Sequence, residues 1–131
     1  MDCPACGGTV LAFPVPEDLG ALLPDDRAGA AICTHCLTVV PEDDPPTDLP
    51  DFTAVSDAFP REPDRAVVLA VLVALLDSPA TYRTELETVA TRAEARGLDV
   101  LLFLDRLDRD RALSPHVDLG RRGAQLEQLL G

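Results

Sequence analysis

The sequence predicts an α+β protein, with a small three-stranded sheet at the N-terminus followed by a bundle-like domain of four helices. Three observations predict it. The four cysteines of the 131-residue chain fall in two Cys-x-x-Cys pairs, Cys3–Cys6 and Cys33–Cys36. A stretch rich in proline and acid, Pro41–Asp51, follows them without one basic residue. From about residue 61 onward, apolar residues recur at helical spacing between recognisable start and stop signals. These features divide the chain into a cysteine-bearing ribbon (1–40), a linker (41–60) and a helical domain (61–131).

The cysteine spacing has a chemical reason. Zinc takes four thiolates at tetrahedral angles, and two intervening residues let one tight turn aim two sulfurs at one point. Cys3, Cys6, Cys33 and Cys36 are therefore the expected ligands of one structural Zn²⁺ per chain. Gly7 and Gly8 follow the first pair, where a turn needs positive φ and N–H groups must approach sulfur. Leu37 stands in the corresponding place after the second pair, which predicts a less regular knuckle. Between the pairs, residues 7–32 exceed the common spacing of roughly 15–20, so an insertion is expected, with a helical turn over Glu17–Leu23. About 40 residues bury too little apolar area to fold unaided, and the metal supplies the missing stability. Iron in a rubredoxin-like site, a disulfide pair and a redox motif remain as alternatives. The start of the chain has neither the basic nor the apolar character of a signal peptide, which favours a cytoplasmic location and reduced thiols. His35, between two ligands, should point away from the metal, and His116 reads as a loop or cap residue.

Each element follows in order. Thr9–Val15, Ala28–Ile32 and Leu37–Val40 are the expected strands. Phe52, Val55 and Phe59 are positioned to pin the linker onto either flanking unit. Ala66–Leu76 is an unbroken apolar run, too short for a membrane span of ~20 residues. It reads as a central helix, although its valines also permit a buried strand. Ser78-Pro79 is a helix start signal, with Tyr82, Leu86, Val89, Ala90 and Ala93 on one face, an Arg83–Glu87 pair on the other and Gly97 as the stop. Asp99 caps a third helix, Val100–Arg111. Asp118 caps a fourth, with Leu119, Leu126, Leu129 and Leu130 as its buried stripe.

Charge restricts the function. The net charge is −12, from 23 acidic and 11 basic residues, all of the latter arginine. Residues 1–60 hold 11 acids against Arg27 alone, whereas residues 61–131 hold 12 acids and 10 arginines. A basic stripe of the kind that displaces counterions from phosphate is missing. With lysine and asparagine absent and Ile32 the sole isoleucine, the composition points to a GC-rich genome. The acidic surface fits a high-salt cytoplasm, where repulsion is screened within a few ångströms.

Several strings make the chain similar to an uncharacterised haloarchaeal family of small zinc-ribbon proteins. They are Cys-Pro-x-Cys-Gly-Gly from Cys3, Ala12–Leu19, Ala31–Leu37, Pro115–Leu119 and Gln125–Leu130. The resemblance implies zinc at the four cysteines and a cytoplasmic archaeal protein, and it implies no catalytic residue. Three classes of function stand against one another. In the first, the chain is a protein–protein adaptor with structural zinc. In the second it is an accessory factor associated with nucleic acid in transcription or translation, through Arg106, Arg109, Arg111, Arg121 and Arg122. The third, an enzyme or redox protein, needs an open metal position that four cysteines deny. The adaptor is the expectation, with an unidentified protein partner, no membrane, and nucleic acid disfavoured. The apolar residues Val67, Val68, Val71, Leu72, Leu75 and Leu76 also raise the expectation of a weak homodimer through the helical domain.

Overall fold

The structure, a computed structural model, describes residues 2–24 and 27–130. Three strands, β1 (Val10–Pro14), β2 (Gly29–Cys33) and β3 (Val39–Pro41), form an antiparallel sheet in the order β1-β2-β3. Val10 pairs with Cys33 and Pro14 with Gly29 on one side of β2, and Ala30 pairs with Pro41 on the other. Helix α1 (Glu17–Gly20) lies in the insertion. A short 3₁₀ turn, Phe52–Ala54, precedes α2 (Pro63–Leu75), α3 (Arg83–Ala95), α4 (Val100–Asp108) and α5 (Leu119–Leu130). The α+β class and the order of its elements are those the sequence predicts. No helix among the described residues is long and apolar enough to cross a membrane.

The apolar run is a helix, not a strand. Pro63 occupies its first turn, where no N–H is needed. Nearly all of its side chains from Ala66 to Leu75 are buried. α2 packs against α3, and α4 against α5. The six residues that suggested a homodimer are thus covered within one chain, and among the described residues Leu102 is the exposed large hydrophobic side chain.

The second helix begins later than Ser78-Pro79 predicts. The Ser78 carbonyl accepts the N–H groups of Thr81 and Tyr82, closing a single turn. Tyr82 then leaves helical geometry at φ −104°, ψ 32°, and α3 starts at Arg83. Its other end matches the signal. Gly97 has φ +79°, its N–H reaches the Glu94 carbonyl and the Leu98 N–H reaches Ala93, which is a Schellman stop. Asp99 accepts the Leu102 N–H at 3.0 Å, and Asp118 accepts the Arg121 N–H at 3.1 Å, so both predicted caps form. α4 ends at Asp108 rather than Arg111, and the Asp110 side chain accepts the Ala112 N–H in the turn that follows.

The linker joins the sheet to the helices. All four phenylalanines of the chain lie in one line of ring contacts. Phe13 of β1 meets Phe52 edge-on at 5.1 Å, Phe52 stacks on Phe59 at 5.7 Å, and Phe59 meets Phe103 of α4 edge-on at 4.9 Å. The linker therefore pins to both neighbours. Ser56, buried, donates to Asp110 at 2.6 Å and ties the same segment to the turn after α4. Gly29 has no room for a side chain: a Cβ there would lie 2.5 Å from Pro45 and 2.7 Å from the Glu42 carbonyl. One apolar core consequently runs from Phe13, Ile32 and Leu37 to the helices without a break.

Candidate metal centre

Two hairpin-like knuckles carry the cysteines, and they are built alike. In the first, the Cys3 N–H bonds to the Gly8 carbonyl at 2.7 Å and the Gly7 N–H to the Cys3 carbonyl at 2.8 Å. In the second, Cys33 bonds to Thr38 at 2.8 Å and Leu37 to Cys33 at 3.2 Å. Each needs a left-handed residue directly after its second cysteine. Gly7 supplies it at φ +77°, and Leu37 at φ +67°. Leu37 is the one non-glycine residue with positive φ among the described residues. The irregularity expected of the second knuckle is therefore absent, since Leu37 adopts the glycine conformation.

Burial explains how. Leu37 is 1% exposed and belongs to the main core, so its packing offsets a left-handed strain of about 1–2 kcal/mol. Leu37→Gly removes that strain but also removes a buried leucine, a loss of about 2–5 kcal/mol. The variant should be less stable by about 1–3 kcal/mol, read from urea midpoints at constant slope. A more stable variant would show that strain outweighs packing at this position.

The knuckles bring Cys3, Cys6, Cys33 and Cys36 together with all four Sγ atoms within 4.8 Å of one another. Cys3 and Cys36 are 3.6 Å apart, and Cys6 and Cys33 are 3.5 Å apart. Both spacings are near the ~3.8 Å edge of a tetrahedron with metal–sulfur bonds of about 2.3 Å, and far from the ~2.05 Å of a disulfide. Backbone N–H groups point at sulfur, as thiolate ligands require. Ala5 donates to Cys3 and Gly8 to Cys6, each at 3.4 Å. His35 and Cys36 donate to Cys33 at 3.3 and 3.4 Å. The Thr38 hydroxyl lies 3.0 Å from the Cys36 sulfur. Gly8 also leaves space, because a Cβ there would come within 3.3 Å of two sulfurs. The donor set and its geometry fit a tetrahedral metal ion.

Two of the thiols, Cys3 and Cys6, are displaced from the ordinary cysteine value in opposite directions. Burial raises the Cys3 pKa, but the N–H groups of Cys6 and Ala5 and the thiols of Cys36 and Cys33 outweigh it, lowering it to about 6. Gly8 draws the Cys6 pKa down, yet the Cys33 thiol, burial and the other two cysteines push it up to about 12. A metal ion takes the place of the protons retained by such a cluster.

A second set of contacts holds this centre against the helices, and no spacing in the sequence announces it. The His35 carbonyl accepts the Ser114 N–H at 2.7 Å. The Cys36 carbonyl accepts the His116 N–H at 2.9 Å and lies 2.9 Å from His116 Nδ1. His116 Nε2 contacts the Asp77 carboxylate beyond the end of α2. His116 is a loop residue, as predicted, and its ring bridges the second knuckle to α2. His35 is exposed on the knuckle. The only sequence hint of the bridge is that Pro115 fixes the chain just before His116.

Both partners of the His116 ring accept hydrogen bonds, which favours the doubly protonated form. Burial opposes that charge, but the Cys36 carbonyl, the Asp77 carboxylate and the Cys3 sulfur outweigh it and hold the pKa above the ordinary histidine value. A raised folded-state pKa gives stability that is complete below the unfolded value of about 6.5 and lost as pH rises through the folded value. His116→Ala should cost about 1–2 kcal/mol at pH 6 and less at pH 9. Denaturation of both proteins across that range checks it; a pH-independent difference would mean that only packing is lost.

An α+β protein with a four-cysteine, metal-ready centre docked on a helical body is the class that fold and site define. The chain matches over residues 2–130 the family described as "Family of unknown function (DUF6276)". It belongs to that family. No curated protein and no solved structure matched it.

Proposed function

We propose that the chain is a zinc-ribbon protein whose metal is structural, acting as a protein–protein interaction adaptor in the cytoplasm of a halophilic archaeon. The observation that carries this reading is the closure of the centre. Four cysteines within 4.8 Å supply a complete tetrahedral set and leave no coordination position for a substrate. His116 is engaged in holding the second knuckle, so its ring supports structure rather than chemistry. Zinc is favoured over iron because cytoplasmic Cys₄ ribbons suit a redox-inert ion.

The arginines offered for nucleic acid are in part already engaged. Arg109 lies 3.3 Å from Asp105, Arg106 donates to the Asp57 carbonyl at 3.2 Å, and Arg122 donates to Gln125 at 3.2 Å. With residues 1–60 carrying one arginine against 11 acids, this supports the adaptor over the nucleic-acid accessory factor.

Two measurements test the proposal. Metal analysis of protein purified without chelator should find one zinc per chain; iron or no metal overturns the assignment. Affinity capture at molar KCl from the native host should return a defined protein partner that survives nuclease treatment. Nucleic acid as the retained component would instead establish the accessory factor. The halophilic element has its own test. The protein should lose stability below about 1 M salt, as screening weakens, and equal stability in dilute buffer and molar KCl would remove it.

A further inference from the structure

The four cysteines are not sheltered alike. Cys3 and Cys36 are 4% exposed and Cys33 is fully buried, whereas Cys6 lies open to solvent. Its neighbours Pro4, Ala5 and Gly7 are exposed as well, so the tip of the first knuckle is an uncovered edge of the centre. The second knuckle is covered from within: Leu37 sits in the main core, and the His116 loop takes the Cys36 carbonyl. Hydrogen bonding follows the same division. The Cys33 sulfur accepts N–H groups from His35 and Cys36, while Cys6 accepts one, from Gly8. Each such bond stabilises a thiolate and makes it a poorer nucleophile.

Cys6 also has a partner within reach. The Cys33 sulfur is 3.5 Å away, and Gly8 borders this pair. A Cβ at Gly8 would lie 3.3 Å from both sulfurs and 3.2 Å from the His35 Cβ, so glycine leaves that side of the pair without a covering side chain. One reachable sulfur beside one buried sulfur is the arrangement of an attacking thiol and a resolving thiol.

We propose, on the reading of a zinc-filled centre, that Cys6 is an oxidation site for a hydroperoxide and that Cys33 resolves it. A closed coordination shell denies a ligand access to the ion, but it does not protect a thiolate from an oxidant. The Cys6 thiolate attacks one oxygen of hydrogen peroxide: an S–O bond forms, the O–O bond breaks, and the released hydroxide takes a proton and leaves as water. The Cys33 thiolate then attacks the Cys6 sulfur: an S–S bond forms, the S–O bond breaks, and a second hydroxide leaves as water after protonation. Two electrons pass from the sulfurs to the peroxide. Two of the four ligands are consumed, and the remaining pair, Cys3 and Cys36, is an incomplete tetrahedral set. Charge selects the class of oxidant. Residues 1–60 carry 11 acids against one arginine, a field that repels anions such as glutathione disulfide and is indifferent to a small neutral peroxide.

The test uses the full chain, loaded with zinc and checked for one ion per chain. Hydrogen peroxide is added at one equivalent beside a chromogenic chelator. One portion contains dimedone to trap sulfenic acid; in the other, remaining thiols are blocked with N-ethylmaleimide before trypsin digestion. Arg27 is the one trypsin site before Arg61, so Cys3 and Cys6 fall in one peptide and Cys33 and Cys36 in the next. Dimedone should mark Cys6 at least tenfold more than any other cysteine. Zinc should be released in step with a Cys6–Cys33 disulfide that joins the two peptides. Dimedone spread evenly over the four, a dominant Cys3–Cys36 or within-knuckle disulfide, or zinc retained after oxidation each overturns the proposal while leaving the zinc centre intact. A chain that takes up no zinc at the loading step overturns the zinc reading and this proposal with it. The wild-type chain alone is used, so no folding defect of a variant can imitate either result.

Discussion

Replacing Cys33 by serine should abolish metal binding at the four-cysteine centre and unfold the sheet. Cys33 lies 3.5 Å from the Cys6 sulfur and receives two backbone N–H bonds. It is fully buried at the end of β2, opposite Val10. Structural zinc in small modules contributes on the order of 10–16 kcal/mol of apparent binding energy, more than a ribbon of this size can replace. The amides of β1 and β2 should lose hydrogen-exchange protection. The helical circular dichroism should largely persist, because α2 with α3 and α4 with α5 retain their mutual packing. Melting should fall even so, since Phe13, Ile32 and Leu37 share the helices' core. Unchanged metal binding would remove Cys33 from the ligand set, and complete loss of helix would show that the helical body cannot stand without the ribbon.

Phe52→Ala should be the most damaging substitution away from the metal. Phe52 is fully buried and touches two rings at once, Phe13 at 5.1 Å and Phe59 at 5.7 Å. Truncating a buried phenylalanine costs about 3–5 kcal/mol, out of a typical domain total of about 5–15 kcal/mol. The melting temperature should drop by roughly 10–20 °C. Because the lost ring joins β1 to α4 through Phe59 and Phe103, sheet and helix signals should move together. A drop confined to one of them would mean that the ring line does not couple the two parts.

The sheet and the cysteine cluster were legible because both follow local rules. Two residues between cysteines, Gly7 after the first pair and short strands flanking the knuckles depend on near neighbours. Caps were legible for the same reason: Asp99, Asp118 and Gly97 act within four residues of themselves. The start of α3 was misplaced because Ser78-Pro79 satisfies the local signal while Tyr82 interrupts the helix four residues later. The conformation of Leu37 was not legible, since a tertiary core had to offset an unfavourable backbone angle. Nor was the bridge from Cys36 through His116 to Asp77, which spans 80 residues on one side and 39 on the other. The line of four rings was half legible: Phe52 and Phe59 stood out in the linker, but their partners Phe13 and Phe103 lie in different elements.

The reach from Cys36 to His116 also sets a timetable for biosynthesis. Cys36 is translated 80 residues before His116, the loop residue that holds the second knuckle. At elongation rates of about 5–20 residues per second, that interval is roughly 4–16 s. Throughout it the second knuckle lacks the partner that holds its Cys36 carbonyl. An ion captured in that window should close the two knuckles on each other first, leaving the Cys36 carbonyl ready for the His116 loop to settle on. A cell starved of the ion would release chains whose tail finds no template, and these are the forms its proteases should remove first.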